Sequence, residues 1–88
     1  MCTNISATSN VAGAGKGARG WFPLTQATVA FDHATHSGAE HALLLDFTNY
    51  DLGTENRVAV ELDLESGRAL LEQLRGTIEA AEASGVSE

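Results

Sequence analysis

Two alternating stretches flank a turn signal in the middle of this chain, and they constrain its fold more than any other feature. Residues 27–33, "ATVAFDH", put Val29, Phe31 and His33 on one side. Residues 41–49, "HALLLDFTN", put His41, Leu43, Leu45 and Phe47 on one side. A period of two marks a strand with one buried face. Ser37-Gly38 lies between them and reads as a turn. With the turn centred on Ser37, Phe31 faces Leu43, Val29 faces Leu45 and Ala27 faces Phe47. The apolar faces then coincide, which is what fixes a register. The same register sets His33 directly opposite His41, where the loop opens, with Cβ atoms about 5 Å apart. Asp32 and Asp46 point to the other face.

A third strand follows at residues 57–63, "RVAVELD", with Val58, Val60 and Leu62 on one side and Arg57, Ala59, Glu61 and Asp63 on the other. The polar loop "YDLGTEN" precedes it. Upstream, residues 1–12 alternate weakly through Ile5, Ala7, Ser9 and Val11, which fits a further strand. Residues 13–20, "GAGKGARG", are half glycine and read as a loop or a bulged edge strand. Pro23, in "WFPLT", argues against a regular central strand there.

The rest of the chain reads as a helix that Asp63 caps, its carboxylate accepting free backbone N–H groups of the first turn. Gly67, Leu71, Leu74, Ile78 and Ala81 recur at steps of three and four and form an apolar stripe, with Leu70 flanking it. Glu65, Arg68, Glu72, Arg75 and Glu79 form a solvated face with ion-pair spacing. Gly76 costs the helix about 1 kcal/mol relative to alanine. The expected fold is α+β: a three- to four-stranded antiparallel meander followed by one C-terminal amphipathic helix packed on it. Residues 1–88 form one domain, with 1–3 and 84–88 expected to be flexible. The second sheet face carries Ala30, Ala42, Leu44 and Ala59 beside Asp32, Asp46 and Glu61. It is too apolar to be fully wet and suits the N-terminal segment or a second subunit.

Composition narrows the partners. Twelve acids against five bases give a net charge of −7. Such a chain repels phosphate backbones, which argues against nucleic acid and anionic membranes. A sheet this thin in 88 residues has a marginal core, so a homo-oligomer, dimer or higher, is expected. The single cysteine makes no internal disulfide, the start lacks a signal peptide, and no run approaches the ~20 apolar residues of a span. A cytoplasmic protein is the expectation.

Three readings of the chemistry remain open. His33, His36 and His41 have the composition of a zinc, copper, nickel or non-haem iron site, with His36 in the loop able to fold inward. The spacing H-x2-H-x4-H is not a strong signature, and a surface turn with three unrelated histidines is the plainer alternative. Glu40 is the carboxylate best placed to join them. Cys2 follows a removable methionine, so its thiol and free amine could act as ligand or nucleophile. In the second reading, a histidine moves a proton in a small isomerase, cyclase or lyase. Lys16 and Arg19 in the glycine stretch then hold an anionic metabolite, and Trp21 lines the pocket. Catalytic candidates are His33, His41 and Cys2. In the third, the chain is an oligomeric interaction module without chemistry. No nucleotide cofactor is expected: the glycines lack the strand–turn–helix context of a dinucleotide site, and no Ser or Thr follows Lys16.

The order of "MCT", "GKGARGWFPLT", "FDH", "EHALLLDF", "RVAVEL" and "ESGRALLEQL" resembles a family of small actinobacterial proteins known only as a domain of unknown function. That family's pattern has a proline after the "FDH" histidine, where this chain has Ala34, so the loop differs. The resemblance implies a bacterial, intracellular, single-domain protein with secondary metabolism as a setting, and no activity that carries over.

Overall fold

A computed structural model describes residues 3–87. Its elements run β1 (Ile5–Gly17), β2 (Gly20–His33), β3 (His41–Thr48), a 3-10 turn (Tyr50–Leu52), β4 (Arg57–Leu62) and α1 (Leu64–Ser84). The four strands form one antiparallel sheet in the order β1-β2-β3-β4, the expected meander, with one helix after it.

The central hairpin has the register that matching apolar faces require. Phe31 pairs with Leu43, Val29 with Leu45, Ala27 with Phe47, and His33 with His41. β4 continues the same face, with Leu62 beside Leu43, Val60 beside Leu45 and Val58 beside Phe47.

The N-terminal half is more regular than its composition suggests. The glycine stretch belongs to β1, which pairs with β2 down to Gly17↔Gly20. The register slips once, between Asn10 and Gly13, so β1 is a bulged edge strand. Its glycines permit a close approach. A Cβ on Gly15 would lie 3.1 Å from Leu24 and 3.2 Å from Val58, where β1 nears β4. Gly20, at φ 110°, closes the turn in a conformation that side chains rarely adopt.

Pro23 sits inside β2, at a position where the strand is not centrally paired. β3 runs beside β2 only from Gln26 onward, so Pro23 has a strand neighbour on one side, Ala14 of β1. With no second ladder there, a missing N–H costs little. The carbonyl of Pro23 instead accepts from Asn49 Nδ2 at 3.0 Å. Asn49 is buried, and its Oδ1 accepts from the Asp51 N–H at 3.2 Å, capping the 3-10 turn. Asn49→Ala removes both bonds from a buried position. It is expected to cost about 1–3 kcal/mol, read from the midpoint of urea unfolding.

α1 starts where its cap predicts. Asp63 Oδ1 accepts from the Ser66 N–H at 2.7 Å, and Gly85 ends the helix in the left-handed region. On the polar face Arg75 pairs with Glu72 and, at 3.2 Å, with Glu79. The helix meets the sheet at its N-terminal turns. There a Cβ on Gly67 would lie 2.1 Å from Leu43 Cδ1, so glycine is what lets helix and strand touch. Leu70 is half-buried, but from Leu71 to the end of α1 every residue is exposed. Among the described residues the buried apolar side chains are few: Phe22 is 6% exposed and Ala42 0%. No helix among the described residues is long and apolar enough to cross a membrane.

Candidate functional site

The histidine pair is built by the hairpin itself. His33 ends β2, His41 begins β3, and the register holds them face to face. Their ring centroids are 4.7 Å apart, with planes inclined by 29°. Phe31, two residues back on the same face, stacks on His41 at 5.7 Å. The pair therefore rests on an apolar ring and sits at the open end of the sheet. Asp32 turns away and accepts from the His33 backbone N–H at 2.8 Å. Asp46 also lies on the opposite face, where its Oδ1 accepts from Arg57 Nε at 2.7 Å. Neither carboxylate joins the imidazoles, as the alternation of side chains requires.

His36 does not fold toward the pair. Its Nδ1 lies 3.3 Å from Glu61 Oε2, and its ring is largely exposed. Glu61 stands on β4 beside Leu44, on the sheet face away from His33 and His41. There it gathers the whole loop. The backbone N–H groups of Thr35, His36 and Ser37 donate to its carboxylate at 3.1, 3.0 and 2.8 Å, and the Thr35 hydroxyl adds a bond at 2.8 Å. Three successive amides around one carboxylate form an anion nest, filled here by the chain's own side chain. These bonds stabilise the ionised form and hold the Glu61 carboxyl well below the usual carboxylate range, the Thr35 hydroxyl contributing most. Beside the nest, an open hollow of about 580 Å³ has Leu44 and Ala59 in its lining and the Arg57–Asp46 pair at its edge.

Glu61 is the residue that sequence reasoning missed. Alternation placed it on the outer face, but nothing local connected it to a loop 24 to 26 residues earlier. The signal available was the partly apolar outer face itself, on which an isolated carboxylate needs donors. Glu40 contributes its backbone, its carbonyl accepting from the Ala34 N–H at 3.2 Å across the neck of the loop.

The basic residues lie elsewhere. Lys16 pairs with Trp21 at the β1–β2 turn, while His33 ends β2 twelve residues beyond Trp21. At about 3.3 Å per residue that span approaches 40 Å along the strand. Arg19, in the turn, pairs with Glu55 at 3.3 Å, and Trp21 is 72% exposed. Lys16, Arg19 and Trp21 therefore cannot share a pocket with His33 or His41, and the anion-holding version of an acid/base enzyme loses its geometry. Cys2 lies outside the described residues. Among those described, no group of three or more His, Cys, Asp or Glu side chains converges on a point, so the expected trio of histidines is a pair.

The model of a family of unknown function, DUF6295, matches residues 1–87. The chain belongs to this family. No curated protein and no solved structure matches this DUF6295 protein.

Proposed function

We propose that this DUF6295 protein binds a transition-metal ion, or a small ligand through that ion, at the His33–His41 pair. The observation that supports this reading is the direct opposition of the two imidazoles, 4.7 Å between centroids, on paired strands of one hairpin. Neutral imidazole nitrogens suit zinc, copper, nickel and iron. The rings stack, so chelation turns their nitrogens toward a common ion, and the paired strands keep both within its reach. Two protein ligands leave positions open, as a site that takes an exogenous ligand must. The Thr3 hydroxyl donates to the Phe31 carbonyl, so the chain enters β1 beside this end of β2. Cys2 immediately precedes Thr3 in sequence and is the proposed third donor, its thiolate being a strong ligand for the same ions. A single cysteine, with no partner for an internal disulfide, suits a reducing setting.

Titration calorimetry with zinc, on protein without a histidine tag, tests the proposal. His33→Ala and His41→Ala are each expected to weaken binding at least about tenfold, and the double variant to abolish it. His36→Ala is expected to leave the affinity unchanged, because that ring is engaged with Glu61 on the other face. Equal loss from all three variants, or none from any, contradicts the assignment.

A further inference from the structure

We infer that the free half of α1 is a self-association surface, and that its occupant is the same helix of a second copy, running antiparallel. Three observations carry this. The first is surface area. The chain exposes 6635 Å², whereas a compact 9.2 kDa protein exposes about 4,900 Å². The excess of about 1,700 Å² is twice the ~800 Å² that each partner buries in a standard interface. The radius of gyration, 14.7 Å, likewise exceeds the ~12 Å of a compact chain of this length.

The second is the pattern on the helix. Leu64, Leu71 and Ile78 fall seven apart, and Gly67, Leu74 and Ala81 fall seven apart between them. This is the a/d spacing of a coiled coil, about 3.5 residues per repeat. Gly67 rests on Leu43 of its own sheet. Beyond it the stripe has no cover: Leu71, Leu74 and Ile78 are 61%, 53% and 55% exposed. A helix that projects into water over its last fourteen residues is marginal without a partner.

The third is charge. Arg75 is held within its own helix by Glu72 and Glu79, whereas Arg68 and Glu82 make no ion pair among the described residues. In an antiparallel pairing that sets Leu74 against Ile78 of the second copy, Leu71 meets Ala81 of that copy. Arg68 then comes within reach of Glu82 of the second copy at both ends. A parallel pairing brings no such opposite charges together. The antiparallel arrangement is self-complementary, as a two-fold interface demands.

Sedimentation velocity of the full chain at tens of micromolar tests this. The expected result is a species of twice 9.2 kDa that Leu71→Glu with Ile78→Glu converts to monomer. Circular dichroism of that variant is expected to keep the strand signal. Arg68→Glu alone is expected to weaken the dimer severalfold, and Arg68→Glu with Glu82→Arg to restore it, a reversal that misfolding would not give. A wild-type monomer with its helix intact, a dimer indifferent to the two glutamates, or a charge swap that fails to restore association overturns the inference.

Discussion

Phe22→Ala is expected to leave the protein largely unfolded at 25 °C. Phe22 and Ala42 are the buried apolar side chains among the described residues, and Phe22 is much the larger. Its ring lies under the edge strand: a Cβ on Gly17 would meet Phe22 Cε1 at 3.1 Å. Truncating a buried phenylalanine costs about 3–5 kcal/mol, from lost burial and from the cavity left behind. A domain of this length has a total stability of about 4–13 kcal/mol. With so little else buried, this protein belongs at the lower end of that range, and the substitution removes most of it. Urea unfolding followed by circular dichroism measures the effect. A midpoint shift worth under about 1 kcal/mol would show that the sheet does not rest on this ring. The measurement is made at fixed protein concentration, because association adds to apparent stability.

Glu61→Gln is expected to release the 34–40 loop and to remove part of the acid sensitivity of folding. The glutamine keeps the shape but gives up the charge that strengthens four hydrogen bonds from Thr35, His36 and Ser37. The amides of these residues should exchange with solvent faster than in the wild type. The pH dependence follows from the direction of the shift. The folded protein holds the Glu61 carboxyl below its ordinary value of 4.5, so the folded state favours the ionised form. Its contribution is fully present above that ordinary value and is lost progressively as the pH falls below it. Between pH 5 and 7 this group leaves stability unchanged. Below pH 4 the wild type should weaken more steeply than Glu61→Gln. Parallel acid-unfolding curves for the two proteins would mean that the loop bonds do not couple to folding. His36→Ala is expected to matter little for stability, since its ring is exposed and a surface pair contributes at most about 1 kcal/mol.

The hairpin was legible because two independent apolar stripes had to coincide, and only one register allowed it. That register alone sets His33 against His41. The Asp63 cap was legible for a similar reason: a carboxylate at the boundary between an alternating and a helical pattern has a specific job. Other features were only partly legible, because they depend on contacts distant in sequence. The glycine stretch reads as a loop or a bulged edge strand, and pairing with β2 makes it the second. Pro23 argues against central pairing, and β3 does end before reaching it. His36 sits between two facing histidines in sequence, but Glu61 draws it to the other face. The helix stripe showed that a face would be buried. It did not show that the sheet covers only the first turns and leaves Leu71, Leu74 and Ile78 exposed.

The central claim is that His33 and His41 act together as metal ligands. X-ray absorption at the metal edge of zinc-loaded protein tests it most directly. The account predicts two imidazole nitrogens at about 2.0–2.1 Å, lost in His33→Ala with His41→Ala and retained in His36→Ala. A zinc environment without imidazole scattering, or one that the paired substitution leaves unchanged, would contradict it.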